Sequence, residues 1–269
     1  MVKQCYNIIY CCHFDPIRYE EFGCEITNMN KEKCLGVIGG LGPVATSHFM
    51  ELVIRMTQAQ RDQDHLNMII YNTPSIPDRT EYILDHSKPN PLPEMIAIGR
   101  KLREQGVSCV AIPCFTAHYF YEELCREIQV PIVNALRETA CYLRDAGIKK
   151  VGIMATTGTI RAGLFRRELL AQGIEPITPS ESCQKRVMDL IYENVKKNLP
   201  ADMDSFRLVR EELTGRGAEV IILGCTELSM IKRDEDIGHG FIDAMEVLAA
   251  SSVTACGKTL SIFGKDLIT

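Results

Sequence analysis

The sequence predicts an α/β protein made of two pseudo-symmetric domains, each a parallel sheet flanked by helices, with the functional site in the cleft between them. Three observations carry this prediction. Short apolar runs alternate with longer stretches of helical period along most of the 269 residues, the pattern of strands covered on both faces and joined by crossover helices. Gly106, Gly147 and Gly217 stand where a helix ends and a strand begins. The order of motifs also returns. Cys34-Leu-Gly-Val-Ile-Gly-Gly-Leu-Gly-Pro resembles Lys150-Val-Gly-Ile-Met-Ala-Thr-Thr-Gly-Thr, and Val110-Ala-Ile-Pro-Cys114-Phe-Thr116 resembles Ile221-Ile-Leu-Gly-Cys225-Thr226. The offsets, 116 from 34 to 150 and 111 from 114 to 225, are close enough to mark a duplicated unit.

The elements follow in order. Residues 1–33 hold four of the 12 cysteines and show no period, so they are expected to be an N-terminal extension, with Met29 a natural start of the folded part. Strand 35–38 runs into a glycine turn, and Pro43 opens a helix over 45–59. Strand 68–72, helix 93–105, strand 109–112 and helix 117–128 come next, each strand short and apolar. A two-residue strand at 132–133 leads to helix 136–146, and strand 150–154 starts the second unit. Helices 160–172, 183–198 and 206–216 precede strand 220–223, and a last strand is read at 240–242. The expected division is 34–130 with 240–258 as the first domain, 131–239 as the second, and 259–269 as a tail. In such sheets ligands bind beyond the carboxyl ends of the strands.

Composition narrows the function. The chain is 46% hydrophobic and 24% charged with a net charge of −5, ordinary for a globular protein and without the basic footprint of a nucleic-acid or anionic-membrane binder. No run approaches the ~18 apolar residues of a membrane helix. The chain is too long to depend on a disulfide framework. Lys3, His13, Asp15, Arg18, Glu20 and Glu21 interrupt any secretory signal in the first 25 residues. No C-x-x-C pair offers a zinc clip, and the histidines are scattered at 13, 48, 65, 86, 118 and 239. Most of the cysteines therefore read as reduced, buried thiols of a cytoplasmic protein, and no metal site is expected.

Two motifs stand out. Gly40-Leu-Gly42-Pro-Val-Ala45 fits the G-x-G-x-x-A dinucleotide turn after a strand. An NAD reading requires an acidic residue at the end of the next strand. That strand ends in Tyr71-Asn72, and Asp62 and Asp64 precede it. A Walker lysine is absent as well. The turn suits a carboxylate better, through backbone N–H groups and a helix N-terminus. Cys114 and Cys225 are the exceptions among the cysteines. Each closes an apolar strand and opens a polar turn followed by a threonine, Thr116 or Thr226. A helix N-terminus behind each would lower its pKa from about 8.5. Two thiols facing each other across a duplicated fold suit stereoinversion, one removing a carbon-bound proton and the other returning one on the opposite side.

On these motifs the chain resembles the aspartate/glutamate racemases over about 35–249. The matching segments are Gly39-Gly-Leu-Gly-Pro-Val-Ala-Thr46, Arg61-Asp-Gln-Asp-His65, Pro74-Ser-Ile-Pro-Asp-Arg-Thr80, Pro113-Cys-Phe-Thr-Ala-His118, Ala155-Thr-Thr-Gly-Thr159, Ile191-Tyr-Glu-Asn-Val-Lys196 and Gly224-Cys-Thr-Glu227. The resemblance implies a cofactor-independent amino-acid racemase with Cys114 and Cys225 as the two bases. It also implies a site between two domains, a homodimer, and a small acidic amino acid as partner. It assigns Arg79 and Lys196 to the substrate's side-chain carboxylate, and Thr116, Thr159 and Thr226 to the α-carboxylate. His118 packs or caps beside the first cysteine, and Glu227 orients a thiol or is solvated. Two positions depart from the family. Phe115 replaces the asparagine usual after the first cysteine, removing hydrogen bonds and enlarging the apolar lining, and Leu41 stands where methionine is common. Related decarboxylases or hydantoin racemases would have a less basic pocket than Arg79 and Lys196 imply. A non-catalytic amino-acid-binding protein would not need a cysteine in each half.

Overall fold

A computed structural model describes residues 33–269. The extension read at 1–33, with Cys5, Cys11, Cys12 and Cys24, lies outside the described residues apart from Lys33. The first part of the chain forms β1 (Cys34–Gly39), α1 (Pro43–Met56), β2 (Asn67–Asn72), α2 (Arg79–Leu84), α3 (Leu92–Glu104), β3 (Cys109–Ala111), α4 (Tyr121–Ile128) and α5 (Ala135–Asp145). The second forms β4 (Lys150–Met154), α6 (Thr157–Arg161), α7 (Leu164–Ala171), β5 (Glu175–Ile177), α8 (Glu181–Asp189), α9 (Met203–Gly215), β6 (Val220–Leu223), α10 (Thr226–Asp234), β7 (Phe241–Asp243) and α11 (Ala244–Ala255).

Two parallel sheets result, in the orders β2-β1-β3 and β5-β4-β6-β7. The first strand of each unit is central, its successor lies on one side and the third on the other. The sheets thus repeat the duplication read in the motifs. Registers fix the layout, with Leu35 beside Met68 and Cys109 in the first sheet and Gly152 beside Ile177 and Ile221 in the second. β7 pairs with β6, whereas α11 packs against α1, α5 and β3.

Side-chain alternation along the strands explains the core. Leu35, Val37, Cys109 and Ala111 of the first sheet and Val151, Ile153, Val220 and Ile222 of the second point into one apolar cluster shared with α1, α5, α7 and α11. The alternate residues face outward into private clusters. Ile38, Val110 and Ile112 meet α3 and α4, while Met154, Ile221 and Leu223 meet α8 and α9. Both faces of each sheet are covered, at roughly 1.5–3 kcal/mol per large apolar side chain buried. Among the described residues no helix is long and apolar enough to cross a membrane.

Several boundaries differ from expectation for local reasons. Residues 132–133 form an isolated bridge from Ile132 to Val110, not a strand. They are confined between Gln129, in the left-handed region (φ 58), and Asn134, whose side chain caps α5. Helix 117–128 begins as a 3-10 turn over Phe115–Phe120 before α4. Helix 160–172 breaks at Gly163 into α6 and α7. Helix 183–198 becomes α8, a π-turn over Leu190–Asn194 and a 3-10 turn over Val195–Lys197, stopped by left-handed Asn198. Helix 45–59 ends at Met56 because Thr57 turns extended to bridge Leu260. β5, an edge strand with Pro176 at its centre, carries little strand signal. α11 is almost entirely buried and apolar on every side, so it lacks the periodicity that marks a surface helix.

Candidate active site

The carboxyl ends of β1, β3 and β6 each deliver one part of the site. After β1, Gly40 adopts φ +90, and a Cβ there would collide with the backbone of Thr73 at the exit of β2. Its N–H donates to Thr46 Oγ1 (2.8 Å), and that hydroxyl donates to the Gly42 carbonyl (2.9 Å). Gly40 thus serves chain packing, not the approach of a ligand. Gly42 is the open glycine, with its absent Cβ 3.8 Å from Glu227 Oε1. Leu41 is buried and lines the cavity described below.

Asp78 caps α2 by accepting from the Glu81 N–H (3.0 Å), which sets Arg79 on the first turn. The Arg79 residue is 8% exposed. Its Nη1 donates to the carbonyls of Ile76 (3.3 Å) and Pro77 (2.9 Å), and Nη2 donates to the carbonyl of Leu41 (3.0 Å). Three carbonyls therefore hold the guanidinium, and its buried Nε–H has no hydrogen-bond partner. Burial disfavours the Arg79 charge, but Cys114 and Asp78 more than offset it and the pKa rises.

Cys114 ends the β3 segment in extended conformation (φ −158). His118 fastens it. The buried Nε2 accepts from the Ala135 N–H (3.2 Å), so Nδ1 carries the hydrogen and donates to the Cys114 carbonyl (3.2 Å). Burial lowers the His118 pKa and favours this neutral form. Phe115 is 2% exposed and packs edge-on to Phe165, with centroids 6.1 Å apart.

Cys225 occupies the N-cap of α10 after β6. Its Sγ donates to Glu227 Oε2 (2.9 Å), which also accepts from Thr226 Oγ1 (3.1 Å). The expectation that a helix N-terminus lowers the thiol pKa is corrected at Cys225. Burial, then the Glu227 charge and hydrogen bond, hold this pKa well above the ordinary thiol range, and Lys196 opposes them only in part. Lys196 Nζ lies 3.3 Å from Asp78 Oδ2 and 3.8 Å from the centre of the Tyr192 ring. Burial works against its charge, yet Glu227, Tyr192 and Asp78 raise its pKa. Tyr192 donates to Asp78 (3.2 Å), and its own pKa is pushed up to about 12, chiefly by burial.

Eight of the nine predicted residues line one narrow cavity: Leu41, Arg79, Cys114, Phe115, Thr116, Lys196, Cys225 and Thr226. Thr159 sits behind that wall. It bonds Thr116 (3.0 Å) and Thr156 (3.1 Å) in a buried hydroxyl cluster that Thr80 completes by donating to Thr156 (3.2 Å). Asp78, Thr80, Thr156 and Tyr192 also line the cavity and were not singled out from the sequence. Two of them lie inside the Pro74–Thr80 motif, and Tyr192 precedes Lys196 by four residues, the spacing that puts two side chains on one helix face. The charged lining residues, Asp78, Arg79, Lys196 and Glu227, sum to zero. The cavity measures about 20 Å³, little more than one water requires, so admitting an amino acid requires its walls to part.

Known proteins resemble the chain in sequence and in fold. Residues 38–251 match the family model described as Asp/Glu/Hydantoin racemase. The chain is 29% identical over 225 residues to the broad specificity amino-acid racemase RacX of Bacillus subtilis, covering 82% of this chain and 96% of that protein. Its structure is similar to that of the Picrophilus torridus aspartate racemase, with a TM-score of 0.73 and 31% identity, covering 85% of this chain and 96% of that one. The fold also resembles glutamate racemase from Francisella tularensis in complex with D-glutamate, with a TM-score of 0.57 and 16% identity over 83% of this chain and 80% of that one.

Proposed function

The chain belongs to the Asp/Glu/hydantoin racemase family, and from that premise we propose that it interconverts the L and D forms of an amino acid by two-cysteine proton transfer without a cofactor. The observation that carries the reading is that Cys114 and Cys225, which follow the equivalent strands β3 and β6, line the same cavity. In one direction the Cys114 thiolate removes the α-proton while the Cys225 thiol gives one to the opposite face. In the other direction the roles reverse. Glu227 holds the Cys225 hydrogen at 2.9 Å and keeps that thiol protonated until it donates. The Nε edge of Arg79 receives a carboxylate, with Lys196 beside it. The hydroxyls of Thr116 and Thr226 offer donors to the α-carboxylate as charge builds on the α-carbon. Each positioned acid or base is worth about 10²–10⁴ in rate. We place this activity in the cytoplasm and in a homodimer.

Aspartate, glutamate or a related acidic amino acid is the substrate class we favour, because the Arg79 Nε–H beside the cavity lacks a partner. A specific observation supports a broader range. Phe115 presents a ring to the cavity, and Lys196 is already neutralised by Asp78. The similarity to a racemase described as having broad specificity is in keeping with this.

The test is α-proton exchange in deuterated water without pyridoxal phosphate, using both enantiomers of aspartate, glutamate and a wider amino-acid panel. Wild-type protein should deuterate the α-carbon and erase optical rotation for at least one pair. Cys114→Ala and Cys225→Ala should each lower racemisation at least ~10²-fold, with one-sided exchange surviving. Full racemisation by either variant refutes the two-base assignment, and no exchange across the panel refutes the racemase reading.

A further inference from the structure

A second pair of thiols meets at the other end of β3. Cys109 opens that strand, Cys256 caps the C-terminus of α11, and their Sγ atoms are 3.2 Å apart although 147 residues separate them in sequence. Both are buried. A bonded pair has its sulfurs about 2.05 Å apart, so a small approach of two side chains that already share a hydrogen bond suffices. The surroundings suit reactivity as well. Lys33 Nζ donates to the Ala255 carbonyl (3.4 Å), bringing an ammonium beside Cys256. Half-buried Cys34 adjoins the pair, since its N–H donates to Ser108 Oγ (3.2 Å) and its carbonyl accepts from the Ser108 N–H (2.7 Å). The contact with Cys109, then the Lys33 charge, lowers the Cys256 pKa against the effect of burial. The Lys33 ammonium on the Cys256 side makes Cys256 the nucleophile of the pair and Cys109 the resolving thiol. Neither lines the cavity, and the proton transfer proposed above uses neither.

We propose that Cys109 and Cys256 form a reversible disulfide when the protein meets a hydroperoxide. Cys256 first ionises, and its thiolate attacks the terminal oxygen of the hydroperoxide. The O–O bond breaks, and the departing alkoxide or hydroxide takes up the proton released by the thiol, leaving a sulfenic acid on Cys256. The Cys109 sulfur then attacks the sulfenic sulfur. The S–O bond breaks, its oxygen leaves as water with the Cys109 proton, and the S–S bond forms. Two thiols lose two electrons in all, and the hydroperoxide is reduced to an alcohol or, for hydrogen peroxide, to water. The bond ties the start of the β3 strand to the end of α11 and closes a long loop.

The test uses the full chain, treated with stoichiometric hydrogen peroxide, blocked with iodoacetamide and digested without reductant. Mass spectrometry should find one linked peptide pair containing Cys109 and Cys256, lost on treatment with dithiothreitol. The thermal midpoint should rise by roughly 5 °C or more on oxidation and return on reduction. Cys256→Ser should lose both the link and the rise. The proposal is overturned if both cysteines remain fully alkylated after peroxide, if they pair with other cysteines, or if they reach sulfinic acid unlinked. Wild-type protein alone decides among these outcomes, independently of whether the protein racemises anything.

Discussion

Cys114 and Cys225 hold matching positions but face opposite charges, with Arg79 against the first and Glu227 against the second. Under the proposed two-cysteine transfer a base meets one face of the α-carbon and an acid the other, a division of roles that unlike surroundings for two like thiols would serve. Phe115 bears on substrate range in the same manner. Phe115 lines the cavity and its ring packs in the shared core against Phe165. Phe115→Asn is expected to raise kcat/KM for aspartate while costing about 3–5 kcal/mol of stability. A fall in aspartate turnover in folded variant protein would mean that the pocket has adapted around the ring. Away from the cavity, buried Asp243 accepts from Ser229 Oγ (2.7 Å) and the Met245 N–H (2.8 Å). Burial, then Glu246, push its pKa up to about 7, with Lys232 opposing. The folded pKa lies above the unfolded value of about 3.9, so this group's contribution is full below about pH 4 and is lost as pH rises through about 7. Asp243→Asn keeps the acceptor oxygen and removes the charge. Urea unfolding at pH 5 and pH 8 should therefore show wild type losing stability relative to the variant at the higher pH, and parallel behaviour would exclude the effect.

The glycine turn, the Cys114 turn and the π-turn are the elements that aim side chains at the cavity. Their legibility differed. The turn after β1 is visible as Gly39-Gly-Leu-Gly-Pro because a left-handed residue pressed on another backbone admits little but glycine. Gly40→Ala should cost at least about 2 kcal/mol, measured as a lower urea midpoint, and an unchanged midpoint would show that the Thr73 backbone can yield. The sequence gives no sign that the helix read from 117 begins as a 3-10 turn, because that deviation depends on His118 reaching the N-terminus of α5, a contact between segments 17 residues apart. The π-turn was likewise hidden. Its residues have ordinary helical character, and only packing against α10 and the bonds to Asp78 at the N-cap of α2 show how Tyr192 and Lys196 are turned.

The two sheets share one apolar cluster, and a hydroxyl cluster joins Thr80 and Thr116 to Thr156 and Thr159 across them. The expected opening parts α2 from α6, which meet through the hydroxyls of Thr80 and Thr156, and leaves the shared core intact, since hydroxyls freed there can bond water or a ligand. Amide hydrogen exchange should be faster in 79–84 and 157–161 than in β1 and β4, and an amino acid that the protein racemises should slow it selectively there. Uniform protection across both regions would argue for another entry route. The α/β plan, its motif order and eight of the residues that line the cavity are readable from the chain alone, whereas Asp78, Thr80, Thr156 and Tyr192 are not. Apolar alternation, glycine and the placement of polar groups at strand ends are local signatures that tertiary context does not erase. The thiol environments were not readable in this way. Whether Cys225 meets an anion, whether the Arg79 Nε–H lacks a partner and whether Cys109 meets Cys256 depend on which distant segments pack together. Burial and charge act over a few ångströms in space, whatever the separation along the sequence.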